Sequence, residues 1–167
     1  MVSPGPVRTN RLLYMTLLSA VVPLACFAGC SKKDRVISVD AEDPEMNAAI
    51  AKARETLPQF WEVFEKREHG ESDFSLKVRI TDEGAIEHFW AIDIQVGDGK
   101  IMGTINNEPE TVRSVKLGDR IEIPEADISD WLYIRDGKIV GIYTLRALFK
   151  KMPAAKVEEY KQRLADP

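Results

Sequence analysis

The sequence predicts an α+β domain: an N-terminal helix kinked or split at Pro58, a curved, mostly antiparallel sheet of five to six strands, and C-terminal helices. Three observations carry that expectation. Apolar residues recur at three- and four-residue spacing behind Asp43. They recur at every second residue from Phe74 onward, and helical spacing returns after Pro153.

Asp43-Pro44-Glu45 reads as a helix start: an oxygen to cap, a proline where no N–H is needed, and an acid at the positive dipole end. Ile50, Ala53, Leu57, Phe60, Trp61 and Phe64 form one stripe behind it, which Pro58 is expected to kink or split near Leu57. Glu65 to Ser72 reads as a loop. Phe74, Leu76, Val78 and Ile80 then alternate with polar residues, giving a strand with one buried face. After Asp82-Glu83-Gly84, a second strand is expected to bury Ile86, His88, Trp90, Ile92 and Ile94, with Glu87, Phe89, Ala91 and Asp93 opposite. Gly97-Asp98-Gly99 turns the chain into Lys100 to Ile105, and Asn106 to Glu110 reads as a loop. Arg120 to Ile123 is a short strand closed by Pro124. Trp131 to Arg135 and Lys138 to Tyr143 flank the hairpin signal Asp136-Gly137. Thr144 is expected to cap a helix to Lys151, and Pro153 to open a final helix through Leu164, with a Glu159–Arg163 pair.

Ahead of this domain the chain differs in kind. Arg8 and Arg11 precede an apolar stretch from Leu12 to Ala28, the pattern of a secretory signal. Its roughly 17 residues fall short of the about 20 that span a bilayer. The stretch ends Phe27-Ala28-Gly29-Cys30, which resembles the lipobox of bacterial lipoproteins, with Phe27 where leucine is usual. Residues 1–29 are thus expected to be removed and Cys30 to carry lipid, with 30–42 as a polar tether. The bland reading is an ordinary signal cleaved after Ala28. By resemblance to enterobacterial lipoproteins, Ser31 rather than aspartate after the anchor favours the periplasmic face of the outer membrane. Cys26 lies in the discarded segment, so a lipidated Cys30 leaves no free thiol and no disulfide.

Removing residues 1–29 leaves 138 of the 167 residues, enough for one domain, and takes the net charge from −4 to −6. An acidic chain without a basic tract lacks the electrostatic footprint of a nucleic-acid binder. The expected partners are the membrane, through the Cys30 lipid, and an unidentified envelope protein or ligand.

Five segments occur in the order of one bacterial family. They are Glu87-His88-Phe89-Trp90, Gly103 to Pro109, Leu117-Gly118-Asp119, Ile128 to Trp131, and Gly141 to Arg146. The chain resembles the YegJ-like family, domain of unknown function 2314. The resemblance runs from Asp43 to Met152, with residues 153–167 as a C-terminal helix beyond it. It implies a domain boundary and no catalytic role for any residue.

The candidate ligand or partner contacts are His88, Trp90, Asn106, Asp130, Trp131 and Arg146. His88 is the side chain whose charge changes near neutral pH, and it reads either as a base in a pocket or as a packed, hydrogen-bonded ring. Asp119 and Asp130 suit acid–base work, or the backbone-bonding turns that aspartate favours. Trp61, Trp90 and Trp131 could line a binding face, although at these spacings tryptophans are more often core. His69 and His88 lack metal-ligand spacing, and no dinucleotide, Walker or nucleophile-elbow motif occurs, so no cofactor or metal is expected. Three function classes remain: a non-enzymatic envelope binding module, an enzyme using His88 with a carboxylate, and an immunity-type binder of an incoming toxin. The first is the leading expectation.

Overall fold

Asp43 caps the first helix as its sequence requires, its Oδ1 accepting from the backbone of Glu45 (2.9 Å) and Met46 (3.1 Å). The structure is a computed structural model and describes residues 43–165. The expected signal, lipidation site and tether lie outside the described residues. Helix α1 (Pro44–Lys66) runs through Pro58 without splitting. Proline deprives the Arg54 carbonyl of its intrahelical donor, but Arg54 and Pro58 both lie on the exposed side, where water can serve that oxygen. α1 ends at Arg67, in the left-handed conformation.

Six strands follow: β1 (Ser72–Asp82), β2 (Ala85–Gly97), β3 (Lys100–Ile105), β4 (Arg120–Glu122), β5 (Ile128–Arg135) and β6 (Lys138–Gly141). They form one antiparallel sheet in the order β4-β3-β2-β1-β5-β6. Glu83-Gly84, Asp98-Gly99 and Asp136-Gly137 all have positive φ at both positions, the geometry that closes a two-residue hairpin. Helices α2 (Tyr143–Ala147) and α3 (Ala154–Arg163) close the chain, separated by a short 3₁₀ turn. None of the helices among the described residues is long and apolar enough to cross a membrane.

Ala53, Leu57 and Phe60 of α1 pack on Phe74, Leu76, Trp131 and Tyr133. Phe60 stands 5.7 Å from Phe74 and 5.6 Å from Trp131, ring centre to ring centre. A second cluster, Phe89, Ile105 and Val112, lies under the connection from β3 to β4.

One face of β2 corrects the sequence reading. Phe89 and Ala91 are buried along with the expected Ile94, whereas Ile86 is 53% exposed and His88, Trp90 and Ile92 are only half-buried. The register explains it. Leu76 and Val78 face α1 and pair with Ala91 and Phe89, so Lys77 and Arg79, with Trp90 and His88 opposite them, face the other way. Asp93 then adopts φ 51° within a bulge between Ile92 and Gln95, which returns Ile94 to the core side. Gly103 makes room there, since a Cβ would stand 2.7 Å from Ile123 Cδ1 and 3.1 Å from Ile94 Cδ1.

The last helix also pairs differently from expectation: Glu159 meets Lys156 at 2.9 Å instead of Arg163.

Candidate functional site

The face of the sheet turned away from α1 collects most of the side chains with chemistry to offer. Cross-strand pairing sets Lys77 against Trp90 and Arg79 against His88, with Asp130 on the other side of Lys77.

Asp130 is fully buried and every bond it makes is accounted for. Oδ1 accepts from the backbone of Trp131 (2.9 Å) and Tyr143 (3.1 Å). Oδ2 accepts from the Thr144 N–H (2.8 Å) and its hydroxyl (2.6 Å). The cap of α2 therefore comes from β5, 13 residues upstream of Tyr143, and Thr144 sits inside the helix instead of capping it. Ile142, the residue before α2, has φ 52°, rare for a β-branched side chain. That twist turns the Tyr143 and Thr144 amides toward the carboxylate. Burial pushes the Asp130 carboxyl up, against the Thr144 and Trp131 donors and the Lys77 charge.

Lys77 Nζ donates to Thr144 Oγ1 (3.2 Å) and lies 5.6 Å from the Trp90 ring centre. Since the Thr144 proton goes to Asp130, the hydroxyl couples ammonium to carboxylate. Burial lowers the Lys77 pKa, and the Asp130 charge opposes that shift.

His88 reaches across β1 to Ser129, with Nδ1 2.7 Å from Oγ. Ser129 donates its one proton to the Lys77 carbonyl at 3.1 Å. Hydrogen count then gives Nδ1 the proton, so the imidazole donates to the serine and is not positioned to deprotonate it. Burial, reinforced by Lys77, Arg79 and Arg54, pushes the His88 pKa down to about 4. The ring is neutral at pH 7, and its hydrogen-bond partner is a serine where an acid–base pair needs a carboxylate.

The other candidates are dispersed. Trp131 is 2% exposed and donates Nε1–H to the Ala53 carbonyl at 2.9 Å, so it belongs to the core under α1. Arg146 binds the carbonyls of Gly141 (3.3 Å) and Ala165 (2.8 Å), tying down the chain end. Asn106 is exposed; its neighbour Asn107 holds β2, accepting the Trp90 N–H at 2.9 Å. Asp119 accepts from the Lys116 amide at 2.8 Å, a turn contact of the kind its position suggests. Among the described residues no three metal-ligating side chains converge.

Lys77, Thr144 and Ser129 are not among the contact candidates that the sequence offers, where Thr144 reads only as a helix cap. Lys77 reads there as an ordinary polar residue on a strand's outer face, and nothing local announces partners 52 to 67 residues away. Glu87 likewise reads in the sequence only as a residue of the second strand's other face. Its carboxylate accepts from the amides of Glu110, Thr111 and Val112 at 3.0–3.2 Å, while Asp82 takes those of Arg113 and Ser114. Together they hang the β3–β4 connection from the β1–β2 hairpin.

This domain, with its one-sided helix and pinned long connection, is that of a bacterial family described as "Uncharacterized protein conserved in bacteria (DUF2314)", whose model matches residues 43–165; the chain belongs to that family. It is similar to the uncharacterized protein YegJ of Escherichia coli K12, 36% identical over 138 residues that cover 82% of this chain and 89% of YegJ. It is also similar to a putative ankyrin repeat protein of Neisseria meningitidis serogroup B, 33% identical over 73% of this chain. There the match spans about half of the relative's length, 51%. No solved structure matches the chain significantly.

Proposed function

We propose that the protein is a lipid-anchored module of the bacterial cell envelope that binds a partner through the sheet face turned away from α1. The anchor is the Cys30 lipid, and the favoured location is the periplasmic face of the outer membrane. The observation that carries the binding role is how the face's acid–base candidates are engaged. Asp130 is committed to four donors and His88 is a neutral donor to Ser129, so both serve to hold the surface in shape. The Phe27-Ala28-Gly29-Cys30 segment and the polar stretch before Asp43 support the anchor.

Two measurements test this reading. Radiolabelled palmitate should enter the wild type and not Cys30→Ser, with the variant leaving the membrane fraction; equal membrane retention of both ends the anchor. Crosslinking in intact envelopes followed by affinity capture should recover a partner. Turnover of a small molecule, lost in His88→Ala with the fold intact, would replace binding by catalysis.

A further inference from the structure

Ion pairs occupy some basic residues of the described surface: Lys52 with Glu55, Lys66 with Glu62, Arg135 with Glu71, and Lys150 with Glu45. Other described cations, among them Arg67, Arg113, Lys116 and Arg163, also lack a carboxylate partner, but the centre of the face turned away from α1 brings several onto one sheet surface. Among the described residues, Lys77, Arg79 and Arg120 have no carboxylate within ion-pair distance, and the exposed Arg79 guanidinium makes no hydrogen bond either. Lys77 reaches Asp130 only through the Thr144 hydroxyl. Arg120 is steadied through one nitrogen, which donates to the Asp93 carbonyl (2.6 Å) and the Thr104 hydroxyl on β3 (3.2 Å). A chain of net charge −4 thus keeps Lys77 and Arg79 on β1, and Arg120 on β4, without carboxylate partners on one sheet face.

We propose that the Lys77–Arg79 row, with Trp90 beside it, docks an extended acidic segment of a partner protein whose carboxylates are two residues apart. This rests on the binding role proposed above and names the partner's chemistry. Two strand residues on one face are about 7 Å apart along the chain, and an extended peptide repeats at that same spacing. Carboxylates at alternate positions of a segment lying along β1 therefore meet the exposed Arg79 and, beside it, the half-buried Lys77. Trp90 and Ile92, both half-buried, supply apolar surface beside the charges. Bringing negative charge to this face also relieves the mutual repulsion of its cations.

The test uses the full-length lipoprotein in detergent and two synthetic peptides of identical composition. One alternates glutamate with serine, and the other groups its glutamates in a block. Calorimetry and tryptophan fluorescence report binding. The alternating peptide should bind more tightly than the block and perturb the fluorescence. Arg79→Glu should weaken it by about tenfold, while Arg163→Glu on α3, equal in net charge, should change it by less than about twofold. Thermal unfolding checks that both variants are folded. Equal binding of the two peptides, or equal weakening by the two variants, overturns the proposal. So does binding to phosphatidylglycerol vesicles that depends on Arg79 while neither peptide binds, which would assign the face to lipid. A partner captured from envelopes equally well by wild type and Arg79→Glu removes this face from the interaction and leaves the binding role standing. A wild type that captures nothing overturns both.

Discussion

Asp130 and Thr144 meet twice, through the Thr144 backbone N–H at 2.8 Å and its hydroxyl at 2.6 Å, both on Oδ2. This contact fastens α2 to β5 and places the hydroxyl to which Lys77 donates. Burial and four donors make Asp130 the structural centre of the candidate face.

Asp130→Asn should therefore destabilise the domain. The amide keeps one acceptor oxygen and turns an NH₂ toward donors that need an acceptor. The expected loss is on the order of 3 kcal/mol in urea unfolding. An unchanged midpoint contradicts the assigned bonds.

Glu87→Gln should loosen the connection between β3 and β4 without dissolving the sheet. Oε2 accepts from all three amides of Glu110, Thr111 and Val112, and Oε1 from that of Glu110 alone. Glutamine therefore either strips the three of their shared acceptor or turns its NH₂ against the Glu110 N–H, and in both cases the charge is lost. A stability loss of about 1 kcal/mol is expected. Faster hydrogen exchange should be confined to residues 110–114 and to the Phe89–Val112 cluster beneath them. Uniform exchange across the sheet would refute the fastening role of Glu87.

His88 should make stability fall as the solution is acidified. Its pKa is about 4 in the folded chain against an ordinary value of 6.5, so between those pH values the unfolded chain takes up a proton that the folded one refuses. The histidine's contribution is complete above pH 6.5 and is lost progressively as pH falls toward 4. His88→Gln should flatten that part of the stability–pH curve. His88→Ala should cost about 1–3 kcal/mol at pH 7, because it removes the ring and its bond to Ser129.

Gly141→Ala should be among the most damaging small substitutions. Gly141 has φ 86°, and a Cβ there would stand 2.4 Å from the Trp131 carbonyl and 2.6 Å from its ring. Backbone strain and overpacking together predict a loss of about 3 kcal/mol. Calorimetric melting of the variant beside wild type measures it. Gly137→Ala, where a Cβ meets nothing within 4 Å, should cost less despite its φ of 72°.

What the sequence by itself determined is what depends on near neighbours. The Asp43 cap, the stripe of α1, the Asp-Gly hairpins and the succession of helix and strands along the chain need only spacing, turn chemistry and a dipole end, whereas the pairing of β1 with β5 is long-range. The family motifs likewise stand in the chain as contiguous runs. Tertiary structure decided which side of β2 is buried, because the Asp93 bulge breaks the period of two and α1 covers only one face. It also decided the site. Trp131 went to the core, Arg146 to the chain end, and Lys77, Thr144 and Asp130 came together across 67 residues. Long-range contacts of this kind depend on register and on the direction of each side chain, and neither is a property of any one segment.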